Sequence, residues 1–263
     1  MSDIIQSSII PLEGKEYLET LKYSGKVVAQ CLSACKDLLE ASTPNLSCND
    51  LNQVSKEIIE KAGCTATFFG YKGFPGYICT SVNKQMVHGI PTDYIIQPGD
   101  VVKIDLGATT DGIIADAALT AIYGEPLDKK HVELMSVCQK SLHNAINRIK
   151  IGNRLGSIGS SINYVVKQSR FGLITNYGGH GIERNMPHAP PFVANKASAQ
   201  EGPRLQPGMT LAIEPMLTIG EPVTTVSPDG WTVTTPGVSA HYEHTIFIEE
   251  DKTHVITQWE DKI

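Results

Sequence analysis

The sequence contains no apolar run approaching the roughly 20 residues a membrane-spanning helix needs, so an integral membrane protein is not expected. Residues 1–11 carry the acidic Asp3 and neither the basic nor the apolar region of an export leader, which predicts an unexported, cytoplasmic protein. No cluster of Lys and Arg stands out against a formal net charge of −6, and a nucleic-acid footprint is not expected. The six cysteines, Cys31, Cys35, Cys48, Cys64, Cys79 and Cys138, include no CxxC pair and no zinc-knuckle spacing. Free thiols in a reducing compartment are the simplest reading. Cys31 and Cys35 stand four apart in a helical pattern and read as small buried hydrophobes rather than a ligand pair.

What is present suffices for a full core. With 263 residues, 41% of them hydrophobic, the chain is expected to form one domain, 1–263, of two similar halves at about 12–125 and 126–263. Apolar residues recurring every three or four positions predict helices over 15–39, from about 47–50 to 63, over 129–150 and over 158–169. The glycines and proline of 70–76 predict a loop, and β-prone runs predict strands over 77–82, 101–107, 113–123, 209–217, 231–234, 242–249 and 254–258. Pro190, Pro191 and Pro203 punctuate the stretch before 209. The order helices, strands, helices, strands predicts an α+β fold.

An internal echo supports two related halves. Gln97-Pro98-Gly99, four residues, then Ile104-Asp105 recurs as Gln206-Pro207-Gly208, four residues, then Ile213-Glu214. His88 with Pro91 precedes the first copy, and His188 with Pro191 the second. Pro-Gly sets a tight turn, and the strand after it delivers a carboxylate at a fixed distance. Pseudo-symmetry would set Asp105 and Glu214 facing each other.

Both acids interrupt apolar strand-like runs, as do Asp116 and Glu243. A buried lone carboxylate needs a cation, a donor or a proton, and any one of these acids reads equally well as a strand-end residue satisfied by backbone donors. Four together point to a metal. His180, between glycines that let the backbone pack closely around an imidazole, adds one nitrogen to this oxygen-rich set. Such donors suit two harder or borderline divalent ions, whose charge four carboxylates balance.

In their flanks these residues resemble the methionine aminopeptidase family of the creatinase, or pita-bread, fold. The similar segments are Gly-Tyr-Lys-Gly-Phe-Pro at 70–75, Val-His-Gly-Ile-Pro at 87–91, Lys-Ile-Asp-Leu-Gly at 103–107, Gly-His-Gly-Ile at 179–182, Ile-Glu-Pro-Met at 213–216 and Ser-Ala-His-Tyr-Glu-His-Thr at 239–245, in family order. The resemblance implies two pseudo-symmetric halves with a central curved antiparallel sheet covered by helices. It implies removal of the initiator methionine from nascent polypeptides by a monomer, with the ribosome as a further partner. It implies that Asp105, Asp116, His180, Glu214 and Glu243 hold two divalent ions (Mn, Fe, Co or Zn), Asp105 and Glu243 touching more than one. A hydroxide between the ions would attack the carbonyl after the first residue while Glu214 shuttles a proton. His88 and His188 match positions that bind the substrate backbone and steady the tetrahedral intermediate. Tyr71, Phe74, Cys79 and Trp231, with Phe68 nearby, would line the methionine pocket, where an aromatic and sulfur-bearing wall suits a flexible thioether.

Three departures from the family pattern stand out. Ala115 and Ala117 flank Asp116 where Gly and Thr or Ser are usual, so a supporting hydroxyl is expected to be missing. The interval from His180 to His188 is one residue longer than in many short members. His241 replaces the usual Gln or Asn. No helical insertion separates His188 from Glu214 and no Cys- and His-rich zinc extension precedes the first helix, which resembles a short type I, bacterial or organelle-like member. The rival readings are an Xaa-Pro peptidase, which usually carries an extra N-terminal domain, and a non-catalytic binding paralogue, which predicts lost ligands.

Overall fold

The computed structural model describes residues 14–259; the readings made on residues 1–11 lie outside them. Helix α1 (Gly14–Glu40) buries Leu18, Leu21, Val28, Leu32, Cys35 and Leu39 on one face, at the spacing that predicted it. Helix α2 (Cys48–Lys61) starts on a capping box: Ser47 Oγ accepts from Asp50 N at 3.1 Å, and Ser47 N donates to Asp50 Oδ2 at 2.7 Å. It ends at Gly63, whose φ of +70° suits glycine. In the second half come α3 (Lys129–Ile146) and α4 (Gly156–Val166). The apolar rhythm that predicted α3 runs on to the buried Ile149, but tight turns replace the α-helix after Ile146.

The strands are β1 (Thr65–Ala66), β2 (Cys79–Val82), β3 (Gln85–Val87), β4 (Val101–Thr110), β5 (Ile113–Ile122), β6 (Gly172–Leu173), β7 (Gly178–Glu183), β8 (Met186–Ala194), β9 (Thr210–Ile213), β10 (Met216–Thr218), β11 (Thr225–Val226), β12 (Val233–Thr234), β13 (Ser239–His241), β14 (Glu243–Ile248) and β15 (Thr253–Val255). The main sheet runs β1-β4-β5-β14-β9-β7-β8, with β2 on β4 and β15 on β14, and every pair is antiparallel. Smaller sheets, β13-β10-β6 and β11-β12-β3, adjoin it.

Strand alternation decides what each face carries. On β4 and β5, Val102, Ile104, Leu106, Ala115, Ala117 and Leu119 join the core that α1 and α2 cover. Asp105 and Asp116 occupy the other parity and point to the opposite face. There Ile114, Ile182 and Ala212 form a small apolar cluster of their own.

The repeated Pro-Gly turns share their hydrogen bonds. Gly99 N donates to Tyr123 O and Gly208 N to Ile248 O, both at 2.8 Å, and Tyr123 N and Ile248 N return bonds to Asp100 O and Met209 O at 2.9 and 3.0 Å. Gly99 and Gly208 have φ of +86° and +89°.

Three expectations change. The strand expected over 209–217 is two strands in different sheets, broken at Glu214-Pro215, where proline has no N–H for a ladder. The prolines that seemed to break up the stretch around 190 lie in β8, the second strand of a hairpin with β7. β8 ends the sheet order, and an edge strand tolerates missing N–H groups. Trp231, expected in a strand, lies just before β12.

Candidate metal centre

Four strands deliver the acids: Asp105 from β4, Asp116 from β5, Glu214 from the residue after β9, and Glu243 from the first residue of β14. His180 comes from β7, whose glycines permit tight packing: a Cβ on Gly179 would lie 2.1 Å from Ala212 O, and one on Gly181 2.2 Å from Pro190 O. All five side chains are buried, Asp116 and Glu243 to 2% exposure.

They fall into overlapping groups of potential ligand atoms, each within 4.8 Å: Asp105, Asp116 and Glu243; His180, Glu214 and Glu243; and Asp116, His180 and His188. Glu243, Asp116 and His180 are thus each shared between two groups, whereas Asp105 belongs to one. Buried Asp105 Oδ1, Asp116 Oδ1 and Glu243 Oε1 have no hydrogen-bond partner. Ionised carboxylate oxygens only accept, so these atoms lack a cation or a proton. A divalent ion fits that deficit, and carboxylate oxygens with one imidazole are its donors.

Burial first, and then their mutual repulsion, raises Asp105, Glu214 and Glu243 well above the usual carboxylate range. Asp116 is pushed up to about 7, again by burial. His180 is lowered to about 4 by burial and then by His188. Its Nδ1 lies 3.0 Å from Gly181 O, and a carbonyl only accepts, so Nδ1 carries the proton and Nε2 keeps a lone pair. That Nε2 is 3.5 Å from Glu214 Oε1.

Ala117 leaves no hydroxyl next in sequence to Asp116, whose Oδ1 has no hydrogen-bond partner. The Asp116 backbone is held from another strand: Thr245 Oγ1 accepts from Asp116 N at 2.9 Å and donates to Asp116 O at 2.7 Å. It does so where the backbone pairing of β5 with β14 has stopped, at Ala117. Thr245→Ala is expected to cost about 1–3 kcal/mol by leaving buried backbone groups unpaired, read as a lower midpoint in urea with an unchanged slope.

A cavity of about 300 Å³ opens over the acids, and every residue named from the sequence for the site lines it: Phe68, Tyr71, Phe74, Cys79, His88, Asp105, Asp116, His180, His188, Glu214, Trp231 and Glu243. Phe68, Phe74 and Cys79 form one apolar cluster with Ile90 and Trp231. Phe74 meets Trp231 edge-on at 5.1 Å. The His188 ring is 4.4 Å from that of His180 and 5.5 Å from Tyr71, while His88 sits 6.3 Å from Tyr177. The backbone at His88, the residue after β3, is left-handed, with φ of +58°, an uncommon conformation for a residue other than glycine.

Sequence reasoning missed Lys72, Val87, Asn176, Tyr177, Gly178, Phe192 and Met216 in this lining. Lys72, Val87 and Met216 lie within recognised segments and were within reach. Tyr177 precedes the unforeseen hairpin and Phe192 lies within it, and neither carries a local signal.

The chain belongs to metallopeptidase family M24, whose model matches residues 19–250. Within that family the particular likeness is to methionine aminopeptidases. The chain is 37% identical to the methionine aminopeptidase of Mycoplasma capricolum, over 96% of this chain and 100% of that protein. It is 38% identical to methionine aminopeptidase 1 of Mycobacterium tuberculosis, over 95% of each. The crystal structure of methionine aminopeptidase from Thermotoga maritima superposes with a TM-score of 0.89 at 36% identity, over 94% of this chain and 98% of that one. Prolidase from Pyrococcus furiosus, at 18% identity and a TM-score of 0.72, shares the pita-bread fold, this chain spanning 66% of it.

Proposed function

We propose that the protein is a methionine aminopeptidase that hydrolyses the peptide bond after an N-terminal methionine, as a short type I enzyme acting on nascent chains in the cytoplasm. The observation that carries this reading is one cavity whose floor is acid and imidazole and whose wall is aromatic and sulfur-bearing. Family membership implies a divalent metal cofactor. We assign two ions, from Mn, Fe, Co or Zn, to Asp105, Asp116, His180, Glu214 and Glu243. Glu243 and Asp116, common to two donor groups each, take the shared positions in preference to Asp105. Bound there, the ions supply Lewis acidity toward the scissile carbonyl and lower the pKa of water.

The chain's own groups do the rest. Phe68, Phe74, Cys79 and Trp231, with Ile90, enclose an unbranched apolar side chain and exclude water from it. His88, just after β3, and His188, in β8, border the same space, and we assign them the role of donors to the substrate backbone. Burial lowers the His88 pKa, so its ring is a neutral hydrogen-bonding group at working pH. Glu214, at the break between two sheets, is held through its own carbonyl by Asn195 Nδ2 at 3.1 Å and offers a carboxylate to take up and return a proton. The matched Pro-Gly turns support one catalytic domain built of two related halves. A monomer and contact with the ribosome complete the reading. No helix among the described residues is long and apolar enough to cross a membrane.

Purified protein supplied with Mn²⁺ or Co²⁺ is expected to release methionine from Met-Ala-Ser and to leave Leu-Ala-Ser and an Xaa-Pro peptide intact. Cleavage of the Xaa-Pro peptide with Met-Ala-Ser untouched would overturn the assignment.

A further inference from the structure

His241 ends β13, two residues before Glu243, and is 1% exposed. Its backbone is clamped from β5: His241 N donates to Thr120 Oγ1 at 3.0 Å, and that hydroxyl donates to His241 O at 2.7 Å. The ring is therefore fixed, with Nε2 3.4 Å from Glu214 Oε2. On the other side of the same carboxylate, Oε1 lies 3.5 Å from His180 Nε2. Neither ring nitrogen of His241 has a hydrogen-bond partner within normal geometry, although both are buried.

The two imidazoles that flank Glu214 are not equivalent. Gly181 O takes the Nδ1 proton of His180, so the Nε2 of that ring has a lone pair to give and nothing to donate. His241 has no such carbonyl on Nδ1, and the group in front of its Nε2 is a carboxylate, which accepts. A ring that carries one proton must place it on one nitrogen or the other. On Nε2 that proton meets an acceptor. On Nδ1 it would leave two acceptors facing each other at 3.4 Å and a donor buried without a partner, the costlier arrangement.

We propose that His241 is a positioning residue for Glu214: as an Nε2–H donor it holds Oε2, and so keeps Oε1 turned toward His180. An amide offers the same donor, and a hydrocarbon of similar size offers none. The proposal rests on the assignment of Glu214 to the metal centre, but its two readouts separate from that assignment.

The first is the ¹⁵N spectrum of the histidine rings in the metal-free protein, with His241→Gln identifying the signal. A proton on Nε2 is expected; a ring protonated on Nδ1 alone overturns the proposal. The second is Mn²⁺ affinity by titration calorimetry, with circular dichroism establishing that each variant is folded. His241→Gln is expected to bind within about threefold of the parent and His241→Leu about tenfold or more weakly, the range in which lost outer partners of ligands fall. Equal affinity in the leucine variant, or a glutamine variant as weak as leucine, overturns it. Should the parent bind no Mn²⁺, Co²⁺ or Zn²⁺, the metal assignment fails while the ring spectrum still decides the role of His241.

Discussion

Glu243→Gln is expected to reduce hydrolysis of Met-Ala-Ser more than about 100-fold, beyond what loss of an outer partner costs, because it removes a carboxylate common to two of the three donor groups. The same variant, without metal, is expected to melt higher than the metal-free parent. Glu243 is 2% exposed and is crowded by Asp116, Glu214 and Asp105, which all raise its pKa after burial itself. Glutamine keeps the volume, removes one ionisable group and adds donors for the orphaned oxygens of Asp105 and Asp116. Metal should reverse the order. An ion present at about a hundred times its dissociation constant stabilises by about 2.7 kcal/mol, which in a chain of this size raises the melting temperature by on the order of 5–10 °C. The parent should gain that increment and the variant little of it. Equal gains from Mn²⁺ in both proteins would remove Glu243 from the centre. The two readouts together distinguish a lost ligand from a damaged fold, because a damaged fold melts lower in both conditions.

The acids were legible because each breaks an apolar run that strand propensity alone would fill with Val or Ile. Alternation along β4 and β5 then suffices to turn Asp105 and Asp116 away from α1, since both lie on the parity opposite the helix-facing Ile104 and Ala117. The echo of the Pro-Gly turns was equally readable, because a positive φ at Gly99 and Gly208 is a local demand that a local residue meets. What could not be read depends on partners distant in the chain. The β7-β8 hairpin is rich in glycine and proline, and only its pairing with β9 and its place at the sheet edge make strands of such residues. The break at Glu214-Pro215 looks like one strand until β13 and β14 supply two different neighbours. The hydroxyl that holds the Asp116 backbone is unreadable for the same reason: Thr245 is 129 residues away. Thr120 likewise reaches His241 across 121 residues, so both threonines tie β5 to the β13-β14 segment by side-chain bonds that no local pattern announces.

Metal-free protein is expected to lose stability as pH rises from about 6.5 to 8.5, and saturating metal is expected to abolish most of that loss. Asp116 rises from its ordinary value of 3.8 to about 7 on folding, and Asp105, Glu214 and Glu243 are raised further. A group whose pKa is higher folded than unfolded binds more protons in the native state, so its contribution is fully present below the unfolded value and drains away as pH climbs through the folded one. For Asp116 that window runs from about 4 to about 7, and for the other three it extends higher. The buried histidines act in the opposite sense. His180 and His241 are lowered from 6.5 to about 4 and about 3, so they favour the native state above 6.5 and cost stability as pH falls through that range. Below 6.5 the two sets oppose each other and the profile should be shallow. Above 6.5 the histidines are neutral in both states, and the four carboxylates act against the single Lys103, whose pKa burial lowers. Divalent ions take the place of the bound protons, so the metal-loaded protein has no native-state proton to lose across the same interval. Urea midpoints at pH 6.5, 7.5 and 8.5, with chelator and with Mn²⁺, measure both arms. A metal-free midpoint that is flat or rises over that span would mean the four acids are not crowded together without metal. A decline that Mn²⁺ leaves unchanged would place its origin outside the centre.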